Sequence, residues 1–142
     1  VKIYVASSWR NPYQQNVVAV LRAEGHDVYD FRNPPGRAGF AWKQVSDKPP
    51  HEWTPEDWRT TLQHPDAIAG FNADMGALEG CDACVLVLPC GRSAHLELGW
   101  AAGAGRRTYV LAAPTLDEPE LMVKMCSGVV LTLDELRSKL VA

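Results

Sequence analysis

The chain of 142 residues is 46% apolar and 22% charged with a net charge of −3, which suits one soluble globular domain and gives no general attraction to nucleic acid polymers or anionic membranes. No apolar stretch approaches the roughly 20 residues that cross a bilayer, and "VKIYVASS" at the start lacks the ordered basic, apolar and small segments of a secretory signal, so a cytoplasmic location is expected. Four cysteines, at 81, 84, 90 and 126, include one "CDAC" pair but no second CxxC and no histidine pair at zinc-finger spacing, so a metal or redox centre is not expected, and nothing in the spacing calls for an organic cofactor.

"KIYVAS" at 2–7 is a short β-rich run, and the following "NPYQQNVVAVLRAEGH" has Pro12 near a helix start and Gly25 near its end. "DVYDF" at 27–31 predicts a second strand. "ACVLVLP" at 83–89 is apolar throughout, as a parallel strand covered on both faces should be. "SAHLELGWAAGAG" predicts a helix, "RTYVLAA" at 107–113 and "GVVLT" at 128–132 two more strands, and "LDELRSKLVA" a closing helix. This alternation predicts an α/β fold, a doubly wound parallel sheet of five strands with helices on both faces, in one domain spanning 1–142.

Residues 32–64 interrupt the alternation. Five of the ten prolines and Trp42, Trp53 and Trp58 fall there with little periodicity, although Thr54 and Pro55 give a helix-start signature to "TPEDWRTTL". The stretch reads equally as a connector pinned by aromatic packing or as a lid over a ligand crevice. Helical pattern resumes in "HPDAIAGFNADMGALEGC" at 64–81.

Ligands of open parallel sheets sit at the carboxyl ends of the strands, where the winding reverses. The first and third strands end in "SSWRN" and "PCGRSAH", and both stretches carry unexpected polar groups. A helix beginning near Gly91 or Arg92 places Ser93, Glu97 and Trp100 on one face and turns His95 elsewhere. Leu96, Leu98, Trp100 and the neighbouring alanines read as buried, so Glu97 is a carboxylate in apolar surroundings. The stretch is not GxSxG, no GK[ST] closes a phosphate loop, and no GxGxxG follows the first strand. Such a carboxylate can serve as base, acid or nucleophile and suits an oxocarbenium-like centre, which makes glycosyl transfer the natural suspicion. A structurally satisfied buried glutamate is the plainer alternative. Asp74, one helix upstream, could hydrogen-bond a nucleobase or hand it a proton, or be an ordinary surface aspartate.

Three ordered segments resemble the nucleoside 2-deoxyribosyltransferase superfamily, which includes the 2-deoxynucleoside 5-phosphate N-hydrolases. "KIYVASSW" is similar to its first strand and loop, "FNADMGALEGCDACVLVLP" to its acidic helix before strand three, and "HLELGWAAGAGRRTYVL" to its ELG segment. The likeness runs from residue 2 to about 112 and leaves 32–64 unmatched. It implies a flavodoxin-like fold in which Glu97 is the nucleophile that forms a glycosyl-enzyme intermediate. It also implies that Tyr4 hydrogen-bonds that nucleophile and that Asp74 lies near the base. The transferases carry an aspartate six residues before the nucleophile, where this chain has Gly91, followed by Arg92 and Ser93. A Gly-Arg-Ser turn at a helix N-terminus can cradle an anion that a carboxylate would repel. Ser7, Ser8, Trp9 and Arg10 add polar groups at the end of the first strand, and the Ser8-to-Arg10 order resembles the phosphate loop of the nucleotide hydrolases.

The expected substrate is therefore a nucleoside 5-monophosphate cleaved at its base–sugar bond. Base exchange on free nucleosides and a nucleotide-binding module without chemistry are the alternatives. The resemblance also implies a homodimer or larger homo-oligomer, for which "ELMVKMCSG" at 120–128, with Met122 and Met125, could supply the contact.

Overall fold

The computed structural model describes residues 1–141. Among them five strands, β1 (Lys2–Ala6), β2 (Asp27–Asp30), β3 (Ala83–Val87), β4 (Arg107–Leu111) and β5 (Gly128–Val130), form one parallel sheet in the order β2-β1-β3-β4-β5. That is the flavodoxin-like order, with the winding reversing between β1 and β3. The α-helices among the described residues are α1 (Gln14–Ala23), α2 (Pro55–Thr61), α3 (Pro65–Glu79), α4 (Arg92–Gly103) and α5 (Leu133–Leu140), with a 3-10 segment at Leu121–Met125. Strands and helices alternate as the sequence predicts, with ends one or two residues shorter than the apolar runs suggest.

The chain divides into two compact units, the first made of Val1–Asp30 with the chain from Ala77 onward, the second of Phe31–Gly76. In the first unit one sheet face packs Ile3, Val5, Val28, Val85 and Val87 against Val17, Val18 and Leu21 of α1 and Leu136 and Leu140 of α5. Each such side chain contributes roughly 1.5–3 kcal/mol by leaving water. Period-two alternation turns Tyr4, Ala6, Cys84 and Leu86 to the other face, which α4 covers with buried Ala94, Leu98 and Ala101 at i, i+4 and i+7.

The helices that follow β1 and β3, α1 and α4, stop in the same way. Gly25 follows α1 at φ 91° and Gly105 follows α4 at φ 78°, a left-handed conformation that costs other residues a Cβ clash. His26 N–H then reaches Leu21 O at 3.2 Å and Arg106 N–H reaches Ala101 O at 2.9 Å, closing each helix with the six-residue return of a Schellman motif.

The second unit has a different construction. Phe40, Trp42 and Trp53 meet edge to face, with ring centres 5.0 and 5.1 Å apart, and Trp53 Nε1–H donates to Lys48 O at 2.8 Å. A Cβ on Gly70 would stand 2.9 Å from Phe40 Cβ, so the glycine is what lets Phe40 lie against α3. Thr54 caps α2 through a reciprocal pair with Asp57, the hydroxyl accepting from Asp57 N–H at 3.1 Å and the carboxylate accepting from Thr54 N–H at 2.9 Å. Aromatic packing thus pins this stretch internally.

Candidate active site

The apolar demand of the α1/α5 face decides where Tyr4 goes. Because Ile3 and Val5 serve that core, Tyr4 between them must point to the α4 side, where it is fully buried. Its ring stacks on Tyr29, directly opposite on β2, at 5.2 Å and 20° between planes. The same logic on α4 sets Glu97 beside the seam made by Ala94, Leu98 and Ala101, half-buried rather than solvated. The Tyr4 hydroxyl donates a hydrogen bond to Glu97 Oε2. Burial pushes the Glu97 carboxyl up to about 7, because the surroundings disfavour its charged form.

Not every neighbour of Glu97 on α4 is buried as the sequence suggests. Leu98 is, but Leu96 is 76% exposed and Trp100 37%. A helix has one buried seam, and Ala94, Leu98 and Ala101 occupy it; Leu96 lies about 200° around the helix from Leu98. Trp100 instead lies 5.8 Å from the Arg106 guanidinium carbon. His95 is turned away from Ser93: its Nδ1–H donates to Gly91 O at 2.8 Å, with Cys90 Sγ 3.7 Å from the same nitrogen. Ser93 and His95 therefore form no nucleophile–base pair here.

The two polar loops leave the carboxyl ends of adjacent strands. Past β1, Asn11 N–H donates to Ser8 O at 3.1 Å, making a turn with Trp9 and Arg10 at its exposed tip. Ser7 is buried, and its hydroxyl donates to Val87 O at 2.8 Å. Past β3, Gly91 precedes the first turn of α4 with no side-chain cap, leaving the backbone N–H groups of that turn to other partners. Arg92 and Ser93 are exposed. A groove of about 1020 Å3 is lined by Gly91, Arg92 and Ser93 and also by Met122 and Met125; Glu97 and Tyr4 do not line it. Asp74 lies on α3 in the second unit and is half-buried.

Four buried polar residues, Asn11, Gln14, Asp30 and Thr108, escape sequence reasoning. Asn11 is 3% exposed and joins the two loops through side-chain hydrogen bonds to Val87 O and Pro89 O. Gln14 and Asp30 are buried together, with Gln14 Nε2–H donating to Asp30 Oδ1 and Gln15 Nε2–H to Asp30 Oδ2, each at 3.0 Å. The one available signal was an aspartate ending a strand and two amides opening the helix that packs beside it. Among the described residues no three His, Cys, Asp or Glu side chains gather as a metal site, and no helix is long and apolar enough to cross a membrane.

Solved structures resemble this architecture, two of them as follows. A 2-deoxyribosyltransferase from Bacillus psychrosaccharolyticus superposes with a TM-score of 0.61 at 21% identity, over 96% of this chain and 90% of the other. The chain has that enzyme's fold. A CMP N-glycosidase of Clostridium botulinum gives a TM-score of 0.51 at 16% identity, over 97% of this chain and 96% of its own. No family model matches the sequence, and no curated protein matches it at the sequence level.

Proposed function

We propose that the protein is an N-glycosidase that releases the base from a nucleoside 5-monophosphate through a covalent intermediate on Glu97. The observation that carries this reading is the buried Tyr4 hydroxyl donating to the Glu97 carboxylate, between β1 and the helix that follows β3, the two strands where the winding of the sheet reverses. The fold shared with a nucleoside-processing transferase and a nucleotide N-glycosidase supports it.

In the proposed reaction a Glu97 oxygen bonds to the sugar C1 as the C1–N bond breaks, and that bond's electron pair leaves with the base, which takes up a proton. Water then adds to C1, the bond between C1 and the Glu97 oxygen breaks with its electrons returning to the carboxylate, and the water's proton passes to solvent. Tyr4 fixes one carboxylate oxygen so that the other is presented to C1. A pKa near 7 keeps the carboxyl neutral in part before substrate binds, and positive charge developing at C1 favours its ionised form. Asp74 enters on the sequence resemblance alone, as the proton source for the leaving base.

Arg10, Ser8 and the Gly91-Arg92-Ser93 turn are assigned to the 5-phosphate. The backbone N–H groups of the α4 first turn, which has no side-chain cap, and two guanidinium groups suit a dianion. A transferase reading is favoured by the higher likeness to the 2-deoxyribosyltransferase, and adding a second base separates the two by whether a new nucleoside forms. Self-association belongs to the same proposal, with exposed Met122 and Met125 offered to a second copy and light scattering as its measure.

The experiment is incubation with a panel of ribo- and deoxyribonucleoside monophosphates, following free base. Release from at least one, absent in Glu97→Gln, is expected. No release from any, with no transfer between bases, overturns the proposal.

A further inference from the structure

The two loops assigned to phosphate share one internal brace. Asn11 Nδ2 donates to Val87 O at 3.0 Å and to Pro89 O at 2.8 Å, the carbonyls that lead into Cys90 and the Gly91 turn. Its Oδ1 accepts from Tyr13 N–H at 2.6 Å and Gln14 N–H at 3.0 Å, which starts α1, and its own N–H closes the turn that presents Trp9 and Arg10. The side chain is 3% exposed, so water does not compete for these bonds. One amide thus fixes the β1–α1 turn, the start of α1 and the approach to α4 against one another.

We infer that Asn11 is a positioning residue for anion binding: it sets the spacing between the Arg10 turn and the Gly91–Ser93 turn so that one phosphate group meets both. The inference deepens the proposed function and rests on its phosphate assignment. The two carbonyl bonds carry the spacing, and the Oδ1 bonds carry the helix start. These are separable, because aspartate keeps the accepting oxygen and cannot donate to Val87 O and Pro89 O when ionised. Ser7, which also donates to Val87 O, reaches only one of the two carbonyls, so it does not replace Asn11.

The test compares wild type, Asn11→Asp, Asn11→Ala and the control Val17→Ala, a core truncation on α1, in two assays. One is steady-state cleavage of the best monophosphate in the panel; the other is calorimetric titration with ribose 5-phosphate, which needs no turnover. Expected for both Asn11 variants is about a tenfold rise in KM with kcat within about twofold, and about tenfold weaker ribose 5-phosphate binding. Val17→Ala lowers Tm without moving either constant, which separates positioning from general loss of stability. Asn11 variants that fold and bind ribose 5-phosphate as wild type does overturn the inference while leaving the N-glycosidase reading intact. Weakened ribose 5-phosphate binding with no cleavage by wild type overturns that reading and sustains the inference. Wild type that binds no ribose 5-phosphate overturns the inference as well.

Discussion

The two faces of the sheet in the first unit come from the same strands and bury different chemistry. Under α1 and α5 the strands offer Ile3, Val5, Val28, Val85 and Val87 to Leu21, Leu136 and Leu140. Under α4 they offer Tyr4, Cys84 and Thr108 among apolar neighbours, and the helix itself contributes Glu97. The aliphatic face is packed mostly by apolar side chains, its buried polar pair of Gln14 and Asp30 lying at the β2 edge, where the two bond each other. The α4 face carries a buried hydroxyl and a half-buried carboxyl that bond each other, which offsets the cost of taking polar groups out of water. On the proposed function the two faces divide the labour, one supplying stability and the other the reacting groups.

The largest test of that division is Glu97→Gln. Turnover should fall at least about a thousandfold with nucleotide binding retained, read by free-base release and titration. The same variant has a pH signature. The folded carboxyl titrates near 7, above its ordinary value of 4.5, so the folded state holds this proton more tightly than the unfolded chain. The stability gained is complete below about pH 4.5 and is lost as pH rises through about 7. Wild type should therefore lose up to about 3 kcal/mol between pH 5 and pH 8 relative to Glu97→Gln, seen as a Tm gap that opens with pH. Wild-type kcat/KM, which needs the carboxylate, should rise over the same interval.

Tyr4→Phe comes next. It keeps the stack on Tyr29 and removes the donor, so kcat should drop by roughly ten- to a hundredfold and the acidic limb of the pH profile should move upward. An unchanged profile would break the link between the two side chains.

Gly91→Asp sharpens the substrate side. A Cβ at Gly91 meets nothing within 4 Å and φ is −89°, so the fold accepts the change. The added carboxylate should raise KM for a monophosphate about tenfold and leave a free nucleoside unaffected. Equal effects on both would remove the phosphate from that turn.

On the aliphatic face, Leu21→Ala should cost about 2–5 kcal/mol of stability, read by denaturant unfolding. Per folded molecule it should have no kinetic effect, the smallest change of the series. A kinetic defect there would mean that the faces are not independent.

Sequence alone carried the alternation of strands and helices, because apolar period and helix-stop glycines are local properties of the chain. Glu97 was also visible, since a carboxylate amid "HLELGWAAG" conflicts with its neighbours whatever surrounds them. Which face each side chain took was not visible. Leu96 and Leu98 are chemically identical, yet only Leu98 is buried, because the helix's orientation on the sheet is set by partners distant in sequence. Asn11, Gln14 and Asp30 were hidden for the same reason. A buried polar group is defined by who satisfies it: Val87 O, 76 residues from Asn11, comes near only when β3 pairs with β1, and Asp30 meets Gln14 only when α1 packs beside β2.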